Sequence, residues 1–122
     1  MRLQNKTALI AGGTGGMGRA SARLFAKEGG TVFVAARRPE PGNNLVKEIT
    51  DAGGRAHFVE LDTTKQDQWD AAVSAIKAET GALHVLLNIV GSNDLTVIPH
   101  VDVAEWNRIF EVNVNGTLIG MQ

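Results

Sequence analysis

The 122-residue sequence contains neither cysteine nor tyrosine. The missing cysteine excludes disulfides, thiolate metal sites and a cysteine nucleophile. The missing tyrosine removes a phenol from any acid/base chemistry that these residues could perform. Long apolar runs are absent too. No stretch approaches the roughly 20 residues of a membrane helix, and the apolar part of MRLQNKTALIAGG is too short for a secretory signal. No charge of one sign dominates. Twelve Lys and Arg face 13 Asp and Glu, for a formal net charge of −1 without a basic block. That balance argues against nucleic acid or an anionic membrane surface as partner, and a cytoplasmic location is the expectation. The final VNVNGTLIGMQ carries no helix stop signal, so the pattern reads as cut rather than finished.

What is present reads as one ordinary globular unit, 43% hydrophobic and 20% charged. Short apolar segments alternate with amphipathic ones. TALIAG (7–12), TVFVAA (31–36), AHFVEL (56–61) and LHVLLNIVG (83–91) have the length and β-branched content of buried strands. Between them, Met17, Ala20, Leu24 and Phe25 share a helical face, as do Leu45, Val46, Ile49 and Ala52, and Trp69, Ala72, Val73 and Ile76. Gly29 and Gly30, the pair at 53 and 54, and Gly81 stand where these helices should end. A fourth helix follows Asp102, with Trp106, Ile109, Phe110, Asn113 and Thr117 on one stripe and Asp102 with Glu105 spaced as a capping box. Strand–helix units this short permit only right-handed crossovers, which implies an α/β fold: a doubly wound parallel sheet covered on both faces. No separate domain, linker or low-complexity segment interrupts residues 1–122.

Five glycines occupy the seven positions from Gly12 to Gly18, where the first strand hands over to the first helix. Glycine is the poorest ordinary residue for either element. In a doubly wound sheet this turn lies at the carboxyl ends of the strands, where ligands bind. The unpaired N–H groups and dipole of the next helix favour an anion there, and a pyrophosphate reaches them only if no Cβ intervenes. Gly13, Gly15 and Gly18 fit G-x-G-x-x-G, while Gly12, Gly16 and Gly18 fit G-x-x-x-G-x-G.

Four motifs, AGGTGGMG, LDTT, LLNIVG and EWNRIFEVNVNGT, taken in order and at these spacings, resemble the classical short-chain dehydrogenases/reductases along the whole chain. The resemblance implies a Rossmann-like sheet beginning in the order 3-2-1-4. It makes Gly12, Gly16 and Gly18 the coenzyme-loop glycines, with Thr14 and the Met17 N–H holding phosphate. The ribose-binding acid of an NAD site belongs at the end of the second strand. Here VAARRPE puts Ala36 in that place, followed by Arg37 and Arg38. Guanidinium groups there suit a 2′-phosphate, so NADP(H) is favoured; Glu40 keeps NAD(H) open as the alternative.

The same resemblance gives Asp62 the adenine amino group, with the Thr63 backbone beside it; an aspartate there could equally cap the third helix. Asn88 and Gly91 match the ends of an Asn-Asn-Ala-Gly motif whose middle is replaced by Ile89 and Val90, so Val90 would line the nicotinamide-ribose region. Asn88, if buried, needs partners, and tying strands together is its expected work. Asn113 matches the family asparagine at the proton-relay end of the active site. The family's serine, tyrosine and lysine are not found, and GSNDLTVIPHVD would supply only one wall of a substrate site. Ser92 has no adjacent base, His57, His84 and His100 read as ordinary polar residues, and no metal-ligand spacing occurs.

The expectation is the coenzyme half of an oxidoreductase that moves hydride between NADPH and a carbonyl or alcohol, inactive by itself. The full-length protein would be a dimer or tetramer acting on a small molecule, without nucleic acid or membrane. The alternative is a stand-alone NADP(H)-binding or sensing module. In either case the fourth strand would be a bare apolar edge that invites pairing.

Overall fold

The computed structural model describes residues 1–93 and 96–122. Four strands, β1 (Thr7–Ala11), β2 (Thr31–Ala36), β3 (Arg55–Glu60) and β4 (Val85–Asn88), form one parallel sheet in the order β3-β2-β1-β4. Helices α1 (Gly16–Lys27), α2 (Pro39–Asp51) and α3 (Gln66–Thr80) connect them. After β4 the chain continues through α4 (Val103–Phe110), a π-helical turn (Glu111–Asn115) and α5 (Gly116–Met121). The doubly wound α/β class and the strand order are those expected from the sequence.

Strand alternation decides which helix lies on which face. Ile10, Val32, Val34 and Ala56 meet Ala22 and Ala26 of α1 and Leu45 and Ile49 of α2. Their neighbours Leu9, Ala11, Phe33 and Ala35 point the other way, onto Trp69 and Ile76 of α3. Leu9, Ile10, Val32, Val34, Leu45 and Ile76 are fully buried. Each contributes about 1.5–3 kcal/mol through apolar area removed from water. The sheet is therefore a rigid platform whose strands all deliver their carboxyl ends to one side.

Several boundaries differ from the sequence reading, each for a local reason. Helix α2 starts at Pro39, well before its apolar face begins at Leu45, because proline at the first helical position has the right φ and needs no N–H partner. Strand β4 stops at Asn88 instead of reaching Gly91. The last helix is not one regular amphipathic rod: the π turn inserts a residue and rotates its faces. Trp106 and Phe110, expected on a buried stripe, are 53% and 50% exposed and pack on each other with ring centroids 5.3 Å apart. Asp102 does cap α4, accepting the Ala104 N–H at 3.0 Å. Glu105, expected to complete a capping box, is held by Arg108.

The histidines have structural settings. His57 stacks on Phe33, its register partner across β2 and β3, with ring centroids 4.8 Å apart. His84 extends the β1–β4 ladder by one residue: its N–H donates to Thr7 O at 2.9 Å and its Nδ1 accepts the Thr7 N–H at 3.0 Å. His100 lies in an exposed turn. Among the described residues no cluster of acidic, histidine or cysteine side chains could hold a metal, and no helix is long and apolar enough to cross a membrane.

Helix α1 docks by backbone contact. A Cβ at Gly18 would lie 2.7 Å from Gly13 Cα and nearer still to Gly12 O, whereas a Cβ at Gly16 would meet nothing within 4 Å. Gly18→Ala should therefore cost about 1–3 kcal/mol by overpacking. Gly16→Ala should leave stability within about 0.5 kcal/mol or raise it slightly, since alanine favours the helix. Urea unfolding midpoints of the two variants test this contrast; equal midpoints would contradict it.

Candidate functional site

The carboxyl ends of the four strands open onto one cleft of about 690 Å³. Its floor is the turn after β1. Gly12 adopts φ +85°, a left-handed conformation costly for any residue with a Cβ. The Gly12 and Gly13 N–H groups both bond to Ala35 O at 3.1 Å, which ties the turn to the end of β2. The first regular α1 bond is from the Arg19 N–H to Gly15 O, at 2.8 Å. The amides of Gly16, Met17 and Gly18 thus precede the helical ladder, and no side chain caps this helix. With nothing beside the Gly16 Cα and Met17 turned to solvent, the first turn is bare backbone carrying the positive end of a dipole.

Gly12, Thr14, Arg37, Arg38, Asp62, Thr63, Val90 and Gly91 all line the cleft. Gly16, Met17 and Gly18 follow directly on the helix. The side wall begins at Ala36, where no acid stands, and continues with Arg37 and Arg38. Both arginines are exposed, and neither makes a hydrogen bond or ion pair among the described residues. Asp62 sits opposite. Partial burial works to raise its carboxyl, but the Thr64 hydroxyl and N–H bonds and the charges of Lys65 and Arg37 outweigh that and hold it below the usual carboxylate range. The two Thr64 bonds are 2.7 and 3.0 Å, both to Oδ1. Asp62 does not cap α3, whose N-cap is Lys65; its carboxylate orders the preceding turn instead.

Asn88 differs from its expected role as a strand tie. Its Oδ1 takes only the Val90 N–H of its own segment, at 3.4 Å, and its buried Nδ2 has no acceptor among the described residues. Asn113 stands in the π turn, behind the lining. Its side chain clamps the backbone of Ser92, accepting the N–H at Oδ1 and donating from Nδ2 to the C=O, both at 2.7 Å. Its own carbonyl accepts the Thr117 hydroxyl at 3.0 Å. Asn113 therefore fixes the chain that leaves β4 past Gly91. The segment 91–102, expected as a substrate wall, includes positions 94 and 95, which lie outside the described residues.

Arg108 and Val112 also line the cleft and were not singled out from the sequence. Arg108 forks onto Glu105 at 2.9 and 2.5 Å and donates to Ser92 Oγ at 3.0 Å. Their i,i+4 spacing on the last helix was the available signal. It was masked by the stronger apolar stripe.

A turn of exposed amides, unpaired guanidinium groups, an ionised aspartate and an apolar wall at Val90 and Val112 match the parts of a dinucleotide: phosphates, ribose, and a flat base with a polar edge. The short chain dehydrogenase family matches residues 6–122. Cyclopentanol dehydrogenase of Comamonas testosteroni is 40% identical over 119 residues, which cover 98% of this chain and 48% of that protein. A short-chain type dehydrogenase/reductase from Mycobacterium marinum superposes with TM-score 0.94 at 29% identity, covering 98% of this chain and 49% of the other. An actinorhodin polyketide ketoreductase variant, solved with NADPH, superposes with TM-score 0.91 at 30% identity, over 95% of this chain and 44% of that one. The chain spans about half the length of the curated relatives it matches. Glycine turn, strand order and matched length agree, and the chain belongs to the short-chain dehydrogenase family, whose members bind NAD(P)(H) nucleotides.

Proposed function

We propose that residues 1–122 are the coenzyme-binding portion of an NADP(H)-dependent short-chain oxidoreductase that moves hydride between NADPH and a carbonyl or alcohol. The observation that carries the choice of coenzyme is the end of β2. Ala36 leaves no carboxylate to repel a 2′-phosphate, and Arg37 and Arg38 stand unpaired beside it on the cleft. Gly12, Gly16 and Gly18 shape the phosphate turn, with the Thr14 hydroxyl and the Met17 N–H as further donors. Asp62 and Thr63 receive the adenine edge. Val90 and Gly91 face the nicotinamide ribose, with Asn88 beneath them. The nicotinamide supplies or accepts the hydride when the coenzyme is bound.

Proton transfer to the carbonyl oxygen needs a donor within hydrogen-bond reach. No tyrosine stands among these 122 residues. The donor must come from outside them, and Asn113 contributes by holding the Ser92 backbone at the edge of that site. The missing tyrosine also favours a second reading, a stand-alone NADP(H)-binding or sensing module. A reading frame that continues past Gln122 into a serine and a Tyr-x-x-x-Lys run decides for the oxidoreductase; a stop codon there decides for the module.

In fluorescence titrations the chain should bind NADPH at least about tenfold tighter than NADH, the scale of one charge-assisted phosphate interaction. Arg37→Ala with Arg38→Ala should erase that preference while leaving NADH affinity in place. Equal affinities in the unaltered chain would refute the NADP(H) assignment. Separately, Gly16→Glu should keep the unfolding midpoint, because an acid suits the first turn of a helix. It should weaken either coenzyme by more than about tenfold, by filling the bare turn and opposing the phosphates. Unchanged affinity would show that the diphosphate lies elsewhere.

A further inference from the structure

The two residues assigned to adenine are both held by the first turn of one helix. Gln68 Oε1 accepts the Asp62 N–H at 2.6 Å, and Trp69 Nε1 donates to Thr63 O at 2.9 Å. Consecutive side chains of α3 thus grip consecutive backbone groups at the exit of β3. The grip is itself backed. Trp69 is 3% exposed and Thr63 4%, although Thr63 lines the cleft. A Cβ at Gly120 of α5 would lie 2.6 Å from the indole ring, and one at Gly116 would lie 2.9 Å from Thr63 Oγ1. The indole and the threonine therefore have α5 pressed against them and no room to turn. On the open side, Asp62 Oδ1 is committed to Thr64, while Oδ2 takes no bond among the described residues.

We propose that Gln68 and Trp69 are positioning residues of the nucleotide site: Gln68 on the Asp62 N–H and Trp69 on the Thr63 C=O fix the angle at which Asp62 Oδ2 meets the adenine amino group. Neither residue touches the coenzyme. Without the Gln68 acceptor, the Leu61–Asp62 peptide loses its N–H anchor, and the Asp62 carboxylate loses its aim. The proposal rests on the nucleotide-binding reading above, and its test separates the two.

Nicotinamide hypoxanthine dinucleotide phosphate differs from NADP by an oxygen in place of the 6-amino group, so the donor facing Asp62 becomes an acceptor. The reduced forms of both are titrated against the unaltered chain, Gln68→Ala and Gln68→Met, with circular dichroism to establish folding. Alanine and methionine both suit a helix, and methionine keeps the length of glutamine without its acceptor. The unaltered chain should bind the hypoxanthine form about tenfold more weakly, the scale of a hydrogen bond to a charged group. Both variants should compress that ratio to below about threefold.

A fault in folding alone would weaken both ligands together and leave the ratio intact. An unaltered ratio in the variants therefore overturns the brace and leaves nucleotide binding standing. A ratio kept in Gln68→Met but lost in Gln68→Ala overturns it too, because bulk rather than the acceptor would then matter. Equal binding of the two ligands by the unaltered chain removes the Asp62 contact that the brace is meant to aim. Failure of that chain to bind either overturns the functional reading and the brace with it.

Discussion

The fold turns on a contact between stretches of bare backbone. A Cβ at Gly18 would overlap the backbone of Gly12 and Gly13, and Gly12 makes the turn with a positive φ. The turn is pinned in the same place to the end of β2 by two amide bonds to Ala35 O. These contacts set where α1 begins and where its unpaired N–H groups point. A side chain at position 18 would push the helix off the strand, and its unpaired amides would move with it. At Gly16 the protein itself presents no neighbour, so internal packing gives no reason for a glycine there. A ligand's approach does.

The remainder of the cleft is assembled around that turn by two different means. The sheet supplies the first. Parallel strands with both faces buried leave their carboxyl ends in a row, so Ala36 with Arg37, Asp62 with Thr63, and Val90 with Gly91 arrive together without long-range side-chain bonds. The helices after β3 and β4 supply the second, through side chains that grip backbone. Asn113 holds both backbone polar groups of Ser92, Arg108 holds its hydroxyl, and Gln68 and Trp69 hold the backbone of Asp62 and Thr63. Glycines at 116 and 120 bring α5 close against Thr63 and Trp69.

How legible this was in the sequence depends on the range of each interaction. Strand runs, glycine helix ends and the glycine turn are local patterns, and TALIAG, Gly81 and Gly12–Gly18 could be read directly. The strand order and the convergence of Arg37, Asp62 and Val90 required the family resemblance, because no local spacing encodes which strands are neighbours. Proline at 39 extended α2 beyond its periodic core, since first-turn positions tolerate residues that a periodicity count discards. The π turn was invisible, because a one-residue insertion in the hydrogen-bond ladder leaves no composition signal. The partner of Asn113 was illegible for a different reason. Side chain to backbone bonds across 21 residues, as from Asn113 to Ser92, follow tertiary placement rather than sequence pattern.

The central claim is that bare amides at the start of α1 receive the coenzyme diphosphate. Amide chemical shifts followed by two-dimensional NMR during titration with NADPH test it most directly, because each N–H reports its own hydrogen bond. The account predicts that the Gly16, Met17 and Gly18 amides show the largest saturable shifts, while exposed amides at the opposite end of the strands, such as Gly53, stay still. Saturable binding that leaves the three α1 amides unmoved would contradict it.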